Sequence, residues 1–352
     1  MPVTVVVGGQ YGSEGKGKVA HHLAQTLRAA AVVRVGGPNS GHTAMKADGQ
    51  PIVLRQIPTG ALIPGVISIL PSGTYLDVDI LLSEVKRLHL DAEHLAIDPW
   101  ASVITGADRE GEVIAGLPAR IGSTGSGTGK ALQRRIERLE HILYAKDIPE
   151  LRQFVRPTDE ILVRLLQEGR RVVVEGTQGF GLSLLHSGHF PFVTSRDTTA
   201  AAAIAESNVS PLYVDQVTLV LRAFPIRVGG NSGPLPGEVD WDTIVAQGEH
   251  DHEIVERASV TQRVRRVGRF QADIVLRAIA ANRPTNIVLN HLDYVDHECC
   301  ITRQPTALIK SFVSNIEEVI GREVDMWGMG PGILIGRSKA LEALTTMATS
   351  KP

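Results

Sequence analysis

With 352 residues, 43% hydrophobic and 21% charged, the chain can form one large α/β domain or two ordinary ones and is too apolar to be disordered. Its 36 Lys and Arg against 38 Asp and Glu leave a net charge of −2, which argues against a polybasic nucleic-acid binder, as does the 4% aromatic content. No run approaches the ~20 apolar residues of a membrane span. MPVTVVVGGQ lacks the basic start and long apolar run of a signal peptide, and the adjacent Cys299 and Cys300 read as reduced thiols, so a cytoplasmic protein without membrane or nucleic-acid partners is expected.

In chain order, β-branched runs bounded by Gly or Pro predict strands at Thr4-Val7, Val32-Val35, Val66-Leu70, Val172-Glu175, Val217-Ala223 and Asn286-Leu289. Helical patterns lie between them, at Lys18-Ala30, Val78-Leu88, Asp159-Gln167, Thr198-Glu206, Gln271-Ala281 and Ile309-Ile320. This alternation predicts an α/β fold, a mostly parallel central sheet covered by helices on both faces. A single domain over 1–352 is expected, with the strand-poor, Gly-rich stretch at about 92–150 as an insertion over one end of the sheet. Ligands of such sheets bind beyond the carboxyl ends of the strands, so the loops after the strands carry the chemistry.

The sharpest motif is the first strand–loop–helix unit, VVVGGQYGSEGKGKVAHHLAQ. Its glycines let backbone N–H groups approach an anion, and the helix N-terminus beyond favours negative charge. Gly12 to Lys18 has the G-x-x-x-x-G-K spacing, but Val19 stands where a Walker A loop has the hydroxyl that holds Mg²⁺, so this is a phosphate loop of a related, different kind. A second loop, Gly122 to Lys130, interleaves hydroxyls with glycines and suits a phosphate monoester; a flexible surface loop is the alternative. Arg134, Arg135 and Arg138 follow at helical spacing, as a solvated face or as a reach toward a partner's phosphate. Pro38-Asn-Ser-Gly-His-Thr43 puts a histidine on a Gly turn after a strand, and Val260 to Arg266 gathers three arginines that could grip carboxylates or phosphate or form an exposed basic turn. Glu249-His-Asp-His-Glu253 has no second ligand set and reads as a surface loop.

Together these pieces resemble the adenylosuccinate synthetase family, in order and over nearly the whole chain: GQYGSEGKGK (9–18), PNSGHT (38–43), IGSTGSGTGK with Arg138, VEGTQG (174–179), FPFVTSRDTT (190–199), IRVGG (226–230), VTQRVRR (260–266), LNHLDYVD (289–296) and GMGPG (328–332). The resemblance implies a P-loop-related fold, a homodimer and a Mg²⁺-dependent ligase. In that chemistry a nucleoside triphosphate phosphorylates the 6-oxygen of a purine nucleotide, and the amine of aspartate then displaces phosphate. Carried over residue by residue, Gly12, Gly15, Lys16, Gly17, Lys18 and Thr43 would hold the triphosphate. Lys16 and His42 would act on the transferring phosphoryl group, and Gly41 would offer its carbonyl to Mg²⁺. Asn290 and Asp293 would read the base of the triphosphate, walled by Gly330 and Pro331. Gln178 would hold the purine 6-oxygen; Asn39, Ser123, Thr124, Thr194, Val228 and Arg263 would bind the purine monophosphate, with Arg138 reaching in from the partner subunit. Thr261, Arg263 and Arg265 would bind aspartate.

Two departures from the family pattern bear on substrate choice. The family loop reads G-D-E-G-K-G-K, whereas this chain has Ser13 where the aspartate acts as general base and Mg²⁺ ligand. A serine hydroxyl has no useful basicity at neutral pH. The phage branch that makes 2-aminoadenylosuccinate from dGMP lacks the same aspartate, and a serine leaves room for the guanine 2-amino group. The resemblance therefore points to dGMP, L-aspartate and ATP or dATP as substrates, in the cytoplasm of an infected host cell if the chain is viral. IMP with GTP is the alternative, and a nucleotide-binding regulator without chemistry is the reading from another class. The second departure is Asn290-His291-Leu292-Asp293 in place of the family's Thr-Lys-Leu-Asp, which favours adenine over guanine in the triphosphate.

Overall fold

The computed structural model describes residues 2–250, 253–258 and 262–349. Nine strands form the central sheet: β1 (Val3–Gly8), β2 (Ala31–Arg34), β3 (Ile67–Leu70), β4 (Leu95–Ile97), β5 (Val172–Glu175), β6 (Val214–Arg222), β7 (Asn286–Asn290), β8 (Met326–Gly328) and β9 (Leu334–Gly336). Their order is β9-β8-β7-β6-β1-β5-β2-β3-β4, parallel throughout except for the β8–β9 pair at one edge. Every residue of β1, β2 and β5 is buried, which is why they read as unbroken apolar runs rather than alternating ones.

Helices flank the sheet: α1 (Lys16–Thr26), α2 (Val78–Leu88), α3 (Gly106–Ile114), α4 (Thr128–Glu137), α5 (Thr158–Gln167), α6 (Ala200–Ser207), α7 (Ala272–Asn282) and α8 (Ala307–Ile320). The expected strands and helices all occur, with ends displaced by a few residues. The stretch 92–150 differs from expectation at its start. Leu95–Ile97 pairs in parallel with β3 as the sheet's edge strand, and its three side chains are fully buried. Three apolar residues are too few to show a period. The helical material, α3 and α4, begins only after it. Arg134 of α4 grips Asp108 of α3 through Nε and Nη2, each at 2.7 Å, which fastens the two helices together.

β1 lies between β6 and β5, and the segments that follow β1, β2, β5, β6, β7 and β8 all reach one crest of the sheet.

Candidate active site

A cleft of about 590 Å³ opens at that crest. Its lining includes Gly12, Ser13, Gly15, Lys16, Gly17 and Lys18 from the first loop and Asn39, Gly41, His42 and Thr43 from the second. Ser123 and Thr124, Gln178, Thr194, Val228, Arg265, Asp293, Gly330 and Pro331 complete the convergence of residues from nearly 320 positions of sequence. Three expected residues stand apart, Arg263, Arg138 and Asn290, and a fourth is not described. Thr261 lies outside the described residues, as do Asp251 and His252 of the acidic-histidine segment. Arg263 is exposed and does not line the cleft. Arg138 caps the end of α4 in a left-handed conformation, exposed and away from this chain's own cleft.

Asn290 is the clearest correction. It is fully buried at the end of β7, its Nδ2 donates to the Glu14 carbonyl at 2.7 Å, and it does not reach the cleft. Its amide braces the phosphate loop from below. The sequence placed it three residues before Asp293 but could not show that the strand continues through it. The arginine cluster is also divided. Arg265 lines the cleft, while Arg266 turns to the other side of its strand and meets Glu238 at 2.5 and 2.7 Å. Alternation along an extended segment sends neighbours to opposite faces.

The phosphate loop is organised by Glu14, a residue that lies inside the loop motif but received no task from it. Its carboxylate is fully buried and accepts from the Gly12 N–H at 2.8 Å and the Gln10 N–H at 3.1 Å, and it pairs with Lys16 at 2.6 Å. A Cβ on Gly8 or Gly179 would collide with this carboxylate, which explains both glycines. Lys16 is thus neutralised inside the loop rather than held free. Lys18 donates to the Gly330 carbonyl at 2.9 Å, so it too has a protein partner.

His42 forms the other organised centre. Its Nδ1 is hydrogen-bonded to Glu175, whose second oxygen accepts from the Thr59 N–H and hydroxyl, both at 2.9 Å. Arg34 approaches the first oxygen at 3.4 Å. Burial, and after it the Arg34 charge, pushes the His42 pKa down to about 4. Burial opposes ionisation of Glu175 as well, but the bonds from His42, the Arg34 charge and the Thr59 N–H hold its carboxyl below the usual range. Glu175 therefore fixes the tautomer with the proton on Nδ1, and Nε2 is left for the cleft. Bound phosphate would bring negative charge and draw the pKa back up.

A third network lies under Arg265 and Ser13. Arg222, fully buried at the end of β6, pairs with Glu256 at 2.5 Å and donates to the Ser13 carbonyl at 3.1 Å. Tyr294 donates to Glu256 at 3.0 Å, and the Arg265 N–H donates to the Glu256 carbonyl at 2.8 Å. Burial alone would raise the Glu256 pKa; the Arg222, His291 and Arg265 charges and the Arg222 bond hold it down at about 2. This anion ties the loop bearing Ser13 to the segment bearing Arg265. At the far end, Glu112 of α3 accepts from Ser123 Oγ at 3.2 Å and from the Gly129 N–H at 3.0 Å, pinning the second glycine loop.

A family model for adenylosuccinate synthetase matches residues 5–146 and 141–302. The chain belongs to the adenylosuccinate synthetase family. It is a carbon–nitrogen ligase of the type that condenses aspartate, with nucleotide and aspartate as substrates. It is 37% identical over 338 residues to the adenylosuccinate synthetase of Methanocaldococcus jannaschii, covering 93% of this chain and 94% of that one. Identity to the Archaeoglobus fulgidus adenylosuccinate synthetase is 34%, over 94% and 96% of the two chains. Among solved structures, the succinoaminodeoxyadenylate synthetase of cyanophage S-2L, bound to dGMP and to dATP as energy donor, superposes with a TM-score of 0.81 at 29% identity, over 98% and 99% of the chains. The fully ligated adenylosuccinate synthetase of Plasmodium falciparum, at 19% identity and a TM-score of 0.83, covers 96% of this chain and 100% of its own and shares the fold.

Proposed function

We propose that this ligase joins L-aspartate to the 6-position of dGMP, driven by ATP or dATP, through a 6-phosphoryl intermediate, and releases the succino-adduct of 2-amino-dAMP. The observation that carries the reading is the chemistry of the first loop. Between Gly12 and Lys18 the loop holds one carboxylate, Glu14, and it is fully buried on Lys16 and two N–H groups. What the loop offers to a purine is the Ser13 hydroxyl, which lines the cleft. A hydroxyl accepts from a 2-amino group and takes less room than a carboxylate. The cyanophage synthetase similar to this chain over nearly its whole length binds dGMP and dATP, which supports the same pair of nucleotides. IMP with GTP is the second reading, supported by the names of the archaeal relatives.

The chain's own residues divide the work as follows. Gln178 holds the 6-oxygen as it gains charge. His42, oriented by Glu175, donates from Nε2 to the transferring phosphoryl group once bound phosphate has restored its proton. Arg265 takes a carboxylate of aspartate as a forked donor, and Asp293 reads the base of the triphosphate against Gly330 and Pro331. This cleft and its organised histidine argue against a regulator without chemistry, since nucleotide binding alone needs neither His42 nor Gln178.

Gly41 and Ser13 both line the cleft, and the Gly41 carbonyl and the Ser13 hydroxyl are the oxygen donors that would hold Mg²⁺. Neither is a carboxylate and Glu14 is occupied, so phosphate oxygens and water would complete its shell. When bound, the ion neutralises charge on the phosphates. The monophosphate end also needs a cation. Its hydroxyl-rich wall includes Glu112, which offsets the charge of Arg227; Arg227 there gives Nη1 to the Ser232 and Phe192 carbonyls and keeps Nε and Nη2 without a hydrogen-bond partner among the described residues. A homodimer in which Arg138 of a second copy reaches this wall answers that need.

The test offers purified protein Mg²⁺ and aspartate with ATP, dATP or GTP and each of IMP, dIMP, GMP and dGMP, and measures the adduct mass. Adduct from dGMP well above that from IMP is expected. Robust IMP turnover with no guanine adduct would overturn the substrate assignment.

A further inference from the structure

The two lysines of the first motif have different partners: Lys16 pairs with Glu14, whereas Lys18 turns to backbone carbonyls 312 and 315 positions away. Its ammonium donates to the Gly330 carbonyl at 2.9 Å and approaches the Ile333 carbonyl at 3.5 Å. Those carbonyls belong to the tight turn joining β8 to β9, which is closed by Met329 N–H to the Ile333 carbonyl at 3.2 Å and Ile333 N–H to the Gly330 carbonyl at 3.3 Å. The ammonium also packs on Gly328, where an added Cβ would lie 2.8 Å from Nζ. Lys18 therefore fills the inner side of the turn whose outer residues, Gly330 and Pro331, wall the cleft.

A second observation places Asp293 in the same arrangement. Its Oδ1 is buried and has no hydrogen-bond partner among the described residues. Burial pushes its carboxyl pKa up, while the Lys18 charge pulls it back down. Asp293 thus brings an unpartnered acceptor to the same cleft wall as Gly330 and Pro331, and the Lys18 charge favours its ionised form against the burial that opposes it.

We propose that Lys18 is a positioning residue for the base of the nucleoside triphosphate, setting the Gly330 wall and the Asp293 acceptor, and is not a ligand of its phosphates. This rests on the reading that Asp293, Gly330 and Pro331 receive that base. Two lysines that the loop motif treats alike thereby take separate roles: Lys16 belongs to the phosphate loop through Glu14, Lys18 to base selection through the β8–β9 turn.

The test compares Mg²⁺-dependent binding of ATP, GTP and inorganic tripolyphosphate by calorimetry in native protein, Lys18→Met and Lys18→Gln. Tripolyphosphate carries the phosphates and no base. In Lys18→Met, ATP affinity should fall roughly 10- to 100-fold, as for the loss of a charge-assisted bond, while tripolyphosphate affinity changes by less than about 3-fold. Discrimination between ATP and GTP should shrink with it. Lys18→Gln retains one donor for the turn and should show the same pattern with a smaller loss; it serves if the methionine variant does not fold. Equal losses for ATP and tripolyphosphate in either variant would make Lys18 a phosphate ligand and overturn the inference. Native protein that binds ATP and GTP no better than tripolyphosphate would instead overturn the assignment of the base site itself.

Discussion

Glu175→Gln is the most direct probe of the histidine centre. The amide is nearly isosteric, so the cavity is largely kept; with its oxygen on the Thr59 donors its NH2 faces His42 Nδ1 and Arg34, and what is lost is one negative charge and one acceptor. That charge does two things in the structure. It accepts from His42 Nδ1 in a fully buried setting, and it lies 3.4 Å from Arg34, a buried cation. A hydrogen bond to a charged partner contributes about 1.5–3 kcal/mol. Because His42 carries its second proton only beside bound phosphate, losing that amount lowers the protonated fraction of the bound complex, and kcat should fall roughly 10- to 150-fold with the KM for ATP nearly unchanged. Stability should fall too, by about 3–5 kcal/mol in the upper case, because Arg34 is left as a buried charge without its carboxylate. The pH dependence has a definite sign. Glu175 has a folded pKa below its ordinary value, so its contribution is present above the usual carboxylate range and is lost as pH falls through the folded value. The gap in stability between native and variant protein should therefore be widest near neutral pH and close toward strong acid. Phosphate release at saturating substrates gives kcat, and urea unfolding at several pH values gives stability. A variant with kcat within 2-fold of native and an unchanged pH profile would refute the idea that Glu175 works through His42.

Other outcomes follow from the same geometry. Ser13→Asp should lower dGMP turnover by roughly 5- to 150-fold, the cost of overpacking beside the 2-amino group, and unchanged dGMP kinetics would remove position 13 from base selection. His42→Ala should lower kcat by roughly 10²- to 10⁴-fold while nucleotide affinity, measured by calorimetry, stays close to native. Arg265→Lys should raise the KM for aspartate roughly 10- to 150-fold and leave dGMP and ATP affinities alone, because lysine keeps the charge and lacks the planar fork. Glu112→Gln keeps the bonds to Ser123 and Gly129 and removes a charge from the monophosphate wall, so dGMP should bind about 5-fold tighter; equal or weaker binding would show that the carboxylate does not oppose the phosphate.

The fold was legible because buried parallel strands announce themselves. β1, β2 and β5 are continuous Val-rich runs, and the amphipathic patterns between them have helical period. β4 escaped because three residues carry no period, and β8 and β9 are as short. Motif residues that offer backbone or short side chains to a ligand landed in the cleft almost without exception, since a glycine loop after a strand has few places to go. Residues assigned by side-chain reach fared differently. Asn290 sits on the last position of β7 and gives its Nδ2 to the loop above it, and Arg263 lies exposed two residues before Arg265. Reach depends on which way a side chain turns from its strand, and a one-residue change in that register reverses it.

What sequence reasoning did not see has a common form. β2 ends in Arg34, β5 in Glu175, β6 in Arg222 and β7 in Asn290, each terminating an apolar run and each almost completely buried. In the sheet, Arg34 stands opposite Glu175 and Arg222 opposite Asn290. A charge at the end of a buried strand would ordinarily reach solvent, so a buried one must find a partner under the loops. Here the partners are His42, Glu256 and the backbone of Glu14 and Ser13, the parts that hold the catalytic loops in place. This layer is built from long-range pairs, such as Arg34 with Glu175 across 141 positions, and no local spacing reports them. Its rigidity also explains how position 13 can differ from the family without disturbing the site. The loop is held through the Ser13 carbonyl and the Glu14 carboxylate, not through the side chain at 13.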